Sequence, residues 1–332
     1  MSDSSRDADP SPDTVPSGHG SMRRSSRAPR NEFELQMAHA RAEFEEANAR
    51  IKQRTGRDLI LAIVIGLAIG LVVFVSLVFA NWPFALFALA VAVLGVFEFS
   101  RALQGAGRKV DLIPQVAIAV IVPATAYLLG PWQMWVALFC GVVVAIVWRL
   151  VGQMIERDGR TYGNVVDDVL LATFVPLYVP FLASLAILLL RQPHGEWWVM
   201  AFLIITIVAD TGAYVSGLTL GRHPMAPKIS PKKTWEGFAG AAVLSVVGAI
   251  LLAWLMLGLP WWTGIIIGLV ILGTATAGDL GESMIKRDLG IKDMSSWLPG
   301  HGGVLDRLDS ILPSAGAALA LYYVFFPMGV VS

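Results

Sequence analysis

Charge is scarce in this chain: Asp, Glu, Lys and Arg make up 15% of its 332 residues, against about 25% in soluble domains. With a mean hydropathy of +0.64, that scarcity excludes an ordinary soluble enzyme. Cysteine is almost missing as well. Cys140 stands alone in an apolar run, so no disulfide can close within the chain, and it reads as a small buried apolar residue. The net charge is zero, so the total says nothing about partners and gives no basis for nucleic-acid binding. The apolar stretches are too long and continuous for the alternating strands of an outer-membrane barrel. The first of them begins only near Leu59, so no cleaved N-terminal signal peptide is expected. No internal repeat or inverted symmetry of the transporter kind is visible.

What the chain does have is a series of apolar runs, each near the ~20 residues that cross a bilayer. They fall at about 59–80, 83–101, 112–130, 132–149, 167–190, 197–219, 237–258, 262–279 and 310–330. The expected fold is all-α, a polytopic membrane protein of about nine transmembrane helices occupying residues 58–332. Ahead of it, residues 1–31 are rich in Ser, Pro, Asp and Arg and cannot bury enough surface to fold, which predicts a disordered cytoplasmic tail. Residues 32–57 read as a juxtamembrane amphipathic helix, with Phe33, Met37, Ala40, Phe44, Ala47 and Ile51 on one face. It either lies on the membrane surface or leads, solvated, into the first span.

Topology follows from the basic residues. With the N-terminus in the cytoplasm, Arg191 alone of the 25 Lys and Arg residues falls in an outer loop. Removing one span would scramble that alternation. Trp82, Trp132, Trp197, Trp198, Trp261 and Trp262 then sit at outer boundaries as interfacial anchors. Pro176 and Pro180 predict a kink or break in the fifth span.

Three polar clusters share the cytoplasmic side. Dense charge at a membrane edge is costly and is a functional signal by default. The first cluster, Ala209-Asp210-Thr211-Gly212-Ala213-Tyr214, puts an ionisable Asp210 in an apolar helix. It reads either as a ligand-binding acid or as a packing hydrogen bond between helices. The second, Ser230-Pro231-Lys232-Lys233-Thr234 with Glu236 at the next span, pairs hydroxyls with ammonium groups that suit phosphate. By charge alone it is also an ordinary positive-inside loop. The third runs from Gly278-Asp279 to Asp309. Glu282 and Ser283 follow Asp279 by one turn if the helix continues, and Asp306 and Asp309 share a face if theirs does. Hard oxygen donors without a Cys or His cluster point to Mg²⁺, with Asp279 and Asp306 as the best pair. Lys286, Arg287, Lys292 and Arg307 supply charge neutralisation. Carboxylates among these cations argue against a simple anionic-lipid anchor, which would be basic throughout.

From Ser283 to Asp309 the run S-M-I-K-R-D-L-G-I-K-D-M-S-S-W-L-P-G-H-G-G-V-L-D-R-L-D resembles, without departure, the signature of phosphatidate cytidylyltransferases, the CDP-diacylglycerol synthases. The segments around Asp210 and from Ser230 to Gly237 are similar to that family's as well. The resemblance implies transfer of a cytidylyl group from CTP to phosphatidic acid, with pyrophosphate released, in phospholipid biosynthesis. It implies a metal-dependent enzyme using Mg²⁺, with a monovalent cation such as K⁺ sharing the site. It also implies a homodimer in the plasma (inner) membrane of a bacterium, drawing phosphatidate from the inner leaflet and CTP from the cytoplasm. Residues 1–57 lie outside it.

On this reading Asp279 and Asp306 hold the metal. Lys286, Arg287 and Arg307 offset charge on the leaving pyrophosphate. Ser230, Lys232, Lys233 and Thr234 hold CTP or the lipid phosphate. Asp210, Glu236, Ser283, Lys292 and Asp309 complete the binding set, and His301 either donates to a phosphate oxygen or supports the Gly302-Gly303 turn. A transporter would put Asp210 and the Pro-broken span near the midplane, whereas here the charge gathers at one face. A CDP-alcohol phosphotransferase would need Gly after Asp306-x-x-Asp309, where this chain has Ser310.

Overall fold

The computed structural model describes residues 59–155, 160–295 and 302–328. The expected tail (1–31), the amphipathic helix (32–57) and His301 lie outside these described residues. In chain order the elements are α1 (Leu59–Phe79), α2 (Asn81–Gly105), α3 (Leu112–Leu128), α4 (Pro131–Ile155), α5 (Tyr162–Tyr178), α6 (Pro180–Leu190) and α7 (Gly195–Leu220). The strands β1 (Pro224–Ala226) and β2 (Ser230–Thr234) follow, then α8 (Trp235–Leu255), α9 (Trp261–Asp288), α10 (Leu305–Leu308) and α11 (Ile311–Phe325), which closes on a 3₁₀ turn, Phe326–Met328.

Among the described residues, 7 helical stretches are long and apolar enough to cross a membrane, with α5–α6 counted as one and Leu305–Met328 as another. Gly66–Phe79 of α1 and Leu112–Leu128 are shorter apolar helices. Every span expected from sequence meets one of these in order, and the chain is an all-α polytopic membrane protein, but Cys140, expected to be buried, is exposed on the outer face of α4.

The fifth span breaks where its prolines lie. Pro176 sits inside α5, and α6 restarts with Pro180 at its first position, after Val179 at φ −95° and ψ −67°. A proline without an N–H is tolerated at a helix start but interrupts the ladder elsewhere. The ninth run, helical from Ile311, is preceded by the separate short helix α10, so that Asp306 and Asp309 stand beside a helix joint.

The bundle has two distinct ends. At one, the Tyr322 hydroxyl donates to Pro193 O at 3.1 Å, Trp198 packs edge-on against Tyr322, and Arg191 donates to Ala126 O at 2.8 Å. At the other, Asp168 gathers the α2–α3 loop, α4 and the start of α5. Its Oδ1 accepts from Lys109 N at 3.0 Å, and its Oδ2 accepts from Arg149 at 2.9 Å and also from Arg160. Asp168 is fully buried and Arg149 almost so, as an ion pair in an apolar bundle must be if its donors and acceptors are to be met.

Around the third polar cluster, α8 packs closely against both α7 and α9. Small residues permit this, because helices associate in lipid by close backbone approach, with no help from water exclusion. A Cβ on Gly237 would lie 2.9 Å from Ala213 O and 3.3 Å from Gly217 Cα. Gly273, by contrast, faces open space. Gly237→Val should therefore push α7 from α8 and lower stability by about 1–3 kcal/mol, read as a fall in thermal midpoint in detergent. Gly273→Ala should leave the midpoint unchanged, and equal effects of the two would contradict this packing.

Candidate active site

The apolar run of the eighth span ends near Asp279, but the helix does not. α9 continues to Asp288, so Asp279, Glu282, Ser283 and Lys286 recur at intervals of three and four on one face. Ser283 Oγ donates to Asp279 Oδ1 at 3.4 Å. Gly278 brings the backbone of α9 directly against Asp309 O and Pro313. This puts the acid of α9 beside those of the α10 region.

The loop after α7 is a β-hairpin, with Pro224 opposite Thr234 and Ala226 opposite Ser230. Two such short strands are marginal on their own, and three contacts hold them. Glu236 accepts from the N–H groups of Arg222 (3.1 Å) and His223 (3.2 Å) and pairs with His223 Nδ1 at 2.5 Å. Thr234 caps α8, its Oγ1 accepting from Gly237 N at 3.1 Å. Arg287 Nε, from the last turn of α9, donates to Ile229 O at 3.2 Å.

These elements enclose a cavity of about 360 Å³ on which all three clusters meet. Asp210 comes from α7, Lys232, Lys233 and Thr234 from β2, Asp279 from α9, and Asp306, Arg307 and Asp309 from the α10 region. Ala209, Ala213, Phe238, Ala241, Leu272 and Ala275 form an apolar wall deeper in the bundle. Thr234 and Gly237 also line it, so the N-terminus of α8, with its positive end of the helix dipole, lies at the basic side. The two sides touch: Lys233 Nζ lies 2.5 Å from Asp279 Oδ2, with both side chains about a quarter exposed.

Asp306 is differently placed. Its carboxylate accepts from Lys286 Nζ at 2.9 Å, Gly303 N at 2.8 Å and Met294 N at 3.0 Å, so it also organises the loop leading into α10. Asp309 Oδ1 accepts from Ser310 N at 2.7 Å.

The remaining expected residues are not on the cavity wall. Ser230 opens β2, Glu236 closes the hairpin, Ser283 and Lys286 stand behind Asp279 and Asp306, Arg287 joins α9 to the hairpin, and Lys292 is exposed beyond α9.

Two acids escaped the sequence reading as site residues. Glu282 is fully buried, 3.2 Å from Lys286 Nζ, and neither carboxylate oxygen has a hydrogen-bond partner among the described residues. Glu98 of α2 is buried and accepts from Ser295 and Leu305. Each is a single acid within or at the end of an apolar run, which was the available signal.

The donor set suits a hard divalent ion. Four carboxylates line one cavity without a Cys or His partner, and a further buried carboxylate, Glu282, ion-paired with Lys286, lies behind them. No group of three or more such side chains is preassembled as a metal cage among the described residues. Mg²⁺ takes one or two carboxylates and completes its shell with water and substrate phosphates, and the cavity's carboxylates are donors of that type.

The sequence model described as the cytidylyltransferase family matches residues 60–325. The chain belongs to this family. Among similar proteins, the phosphatidate cytidylyltransferase of Mycobacterium bovis is 41% identical over 273 residues, covering 80% of this chain and 88% of that protein. The phosphatidate cytidylyltransferase of Mycobacterium leprae is 39% identical over 276 residues, with the same coverage of 80% and 88%. The one from Haemophilus influenzae is 39% identical over a shorter 158 residues, 45% of this chain and 54% of its own.

Within this family member, Glu236 holds the hairpin that presents Lys232 and Lys233. Glu236→Ala should loosen it and speed tryptic cleavage after Arg222 and Lys228 severalfold, with cleavage elsewhere unchanged. An unaltered digestion pattern would remove Glu236 from that role.

Proposed function

We propose that this chain transfers the cytidylyl group of CTP to phosphatidate, forming CDP-diacylglycerol and pyrophosphate in phospholipid biosynthesis. The observation that carries the proposal is the convergence of Asp210, Lys232, Lys233, Asp279, Asp306, Arg307 and Asp309 on one cavity with an apolar inner wall. A headgroup and a triphosphate need the polar side, and the start of the acyl chains needs the apolar one.

The phosphate monoester of phosphatidate is itself the nucleophile. One of its oxygens attacks the α-phosphorus of CTP, the bond from that phosphorus to the bridging oxygen of the β-phosphate breaks, and the electron pair leaves with pyrophosphate. No covalent protein intermediate is needed. The protein has to bring two polyanions together and hold them in line, which is the work of positioning and electrostatic stabilisation.

Lys232 and Lys233 bind phosphate oxygens, and the α8 N-terminus adds oriented N–H groups. Lys233 exchanges Asp279 for phosphate, which frees the carboxylate; both are partly exposed, where an ion pair contributes little and is readily exchanged. Arg307 lies where charge builds on the leaving pyrophosphate. Lys286 and Arg287 keep Asp306 and the hairpin in place while adding positive potential. Asp279 and Asp306 are the residues that would hold Mg²⁺, with a monovalent cation such as K⁺ beside it. When bound, the metal would supply charge neutralisation on the triphosphate.

In the membrane the site lies on the cytoplasmic side of a bacterial plasma (inner) membrane, where CTP is dissolved and phosphatidate lies in the adjacent leaflet. The basic residues gathered at that face support this orientation. The family resemblance supports a homodimer.

Purified protein should release pyrophosphate only when CTP, phosphatidate and Mg²⁺ are all present, and Lys233→Ala should lower turnover about 10²–10³-fold. Pyrophosphate release without phosphatidate would sink the transfer reaction. Near-native turnover of Asp306→Ala, in membranes at equal expression, would remove Asp306 from the metal pair.

A further inference from the structure

The loop bearing Asp306 is held from the other side of the bundle by a carboxylate that the chemistry above leaves unused. Glu98 lies on α2 and is 1% exposed. Its Oε1 accepts from Ser295 Oγ at 2.5 Å, and its Oε2 accepts from Leu305 N at 2.9 Å. Both donors adjoin residues tied to the cavity. Ser295 follows Met294, whose N–H donates to Asp306, and Leu305 immediately precedes Asp306.

Gly303 lies against both acids. A Cβ there would stand 2.9 Å from Glu98 Oε2 and 3.0 Å from Asp306 Oδ2, so the loop passes between them only as bare backbone. Around Glu98, Val96, Phe99, Met294 and Leu305 belong to one apolar cluster. A leucine at position 98 would fill this core with no carboxylate to desolvate. What the acid adds is two fixed acceptors, and a buried carboxylate is tolerable only when such donors meet it.

We propose that Glu98 is a positioning residue: by fixing Ser295 and Leu305 it sets where Asp306 and Asp309 stand in the cavity. It touches no reacting atom. Its effect on turnover rests on the cytidylyl-transfer reading, whereas its effect on the loop does not.

The test uses the full-length protein in detergent, comparing Glu98→Leu and Glu98→Gln with the parent by steady-state kinetics and backbone amide exchange. Glu98→Leu should lower kcat by about 10²-fold, the scale of a misplacement of about 1 Å. The KM values for CTP and phosphatidate should stay within about threefold. Exchange should quicken in peptides containing Met294 and Leu305 and remain at the parent rate in α7 and α8. Glu98→Gln can still accept from Leu305 N and donate to Ser295 Oγ, so it should recover most of the lost turnover and protection.

Three results would overturn the proposal: Glu98→Leu turning over within about threefold of the parent, exchange rising evenly through all helices, or Glu98→Gln failing as badly as Glu98→Leu. If the parent itself transfers nothing, the catalytic reading falls, and the local exchange change still decides whether Glu98 braces the loop.

Discussion

The contact between Lys233 and Asp279 joins two stretches of chain far apart in sequence, the hairpin after α7 and the helix that outlasts the eighth span. At 2.5 Å it sets the distance across the cavity from basic to acidic side. A cation and an anion this close at a membrane edge largely cancel each other's field. Neither partner is deeply buried, so the pair is a weak fastening. The rest of the site supplies the stiffness that this contact lacks. Thr234 and Glu236 hold the hairpin to α8, Arg287 ties it to α9, and Gly278 sets α9 against the Asp309 backbone.

Much of this was legible in the sequence because a bilayer is a strict solvent. Backbone groups in it must be satisfied within each segment, so runs of about 20 apolar residues can be little other than helices. The order of spans and the break at Pro176 and Pro180 followed from that constraint. The convergence of Asp210, Lys232, Lys233, Asp279 and Asp306 was expected from polar clusters that alternate spans place on one side.

Other features had no such constraint behind them. The membrane limits the apolar run but not the helix, so α9 passes Asp279 and reaches Asp288, placing Lys286 under Asp306. The hairpin is built from Pro, Ser and Lys, residues of low strand propensity, and is held where Glu236 accepts from the N–H groups of Arg222 and His223 at its base and Thr234 caps α8. Glu98 gives no local sign of its partners, which lie 197 and 207 residues further on.

Two groups of charge occupy the same end of the bundle, and their difference separates scaffold from chemistry. Asp168 is fully buried, and its two oxygens are taken up by Arg149, Arg160 and the Lys109 N–H. Both carboxylate oxygens are already engaged, and removing one partner would strand a buried charge. At the cavity, four carboxylates face a few cations, Lys233 and Asp279 are partly open to solvent, and Glu282 behind them keeps both oxygens without hydrogen-bond partners among the described residues. An acidic surplus of this kind is unfavourable in isolation and is relieved by an arriving cation. A triphosphate brings its own negative charge and relieves the lysines in turn. On the proposed reading, each substrate component would meet a residue whose present partner is only adequate, and the ion and the nucleotide together would complete the site.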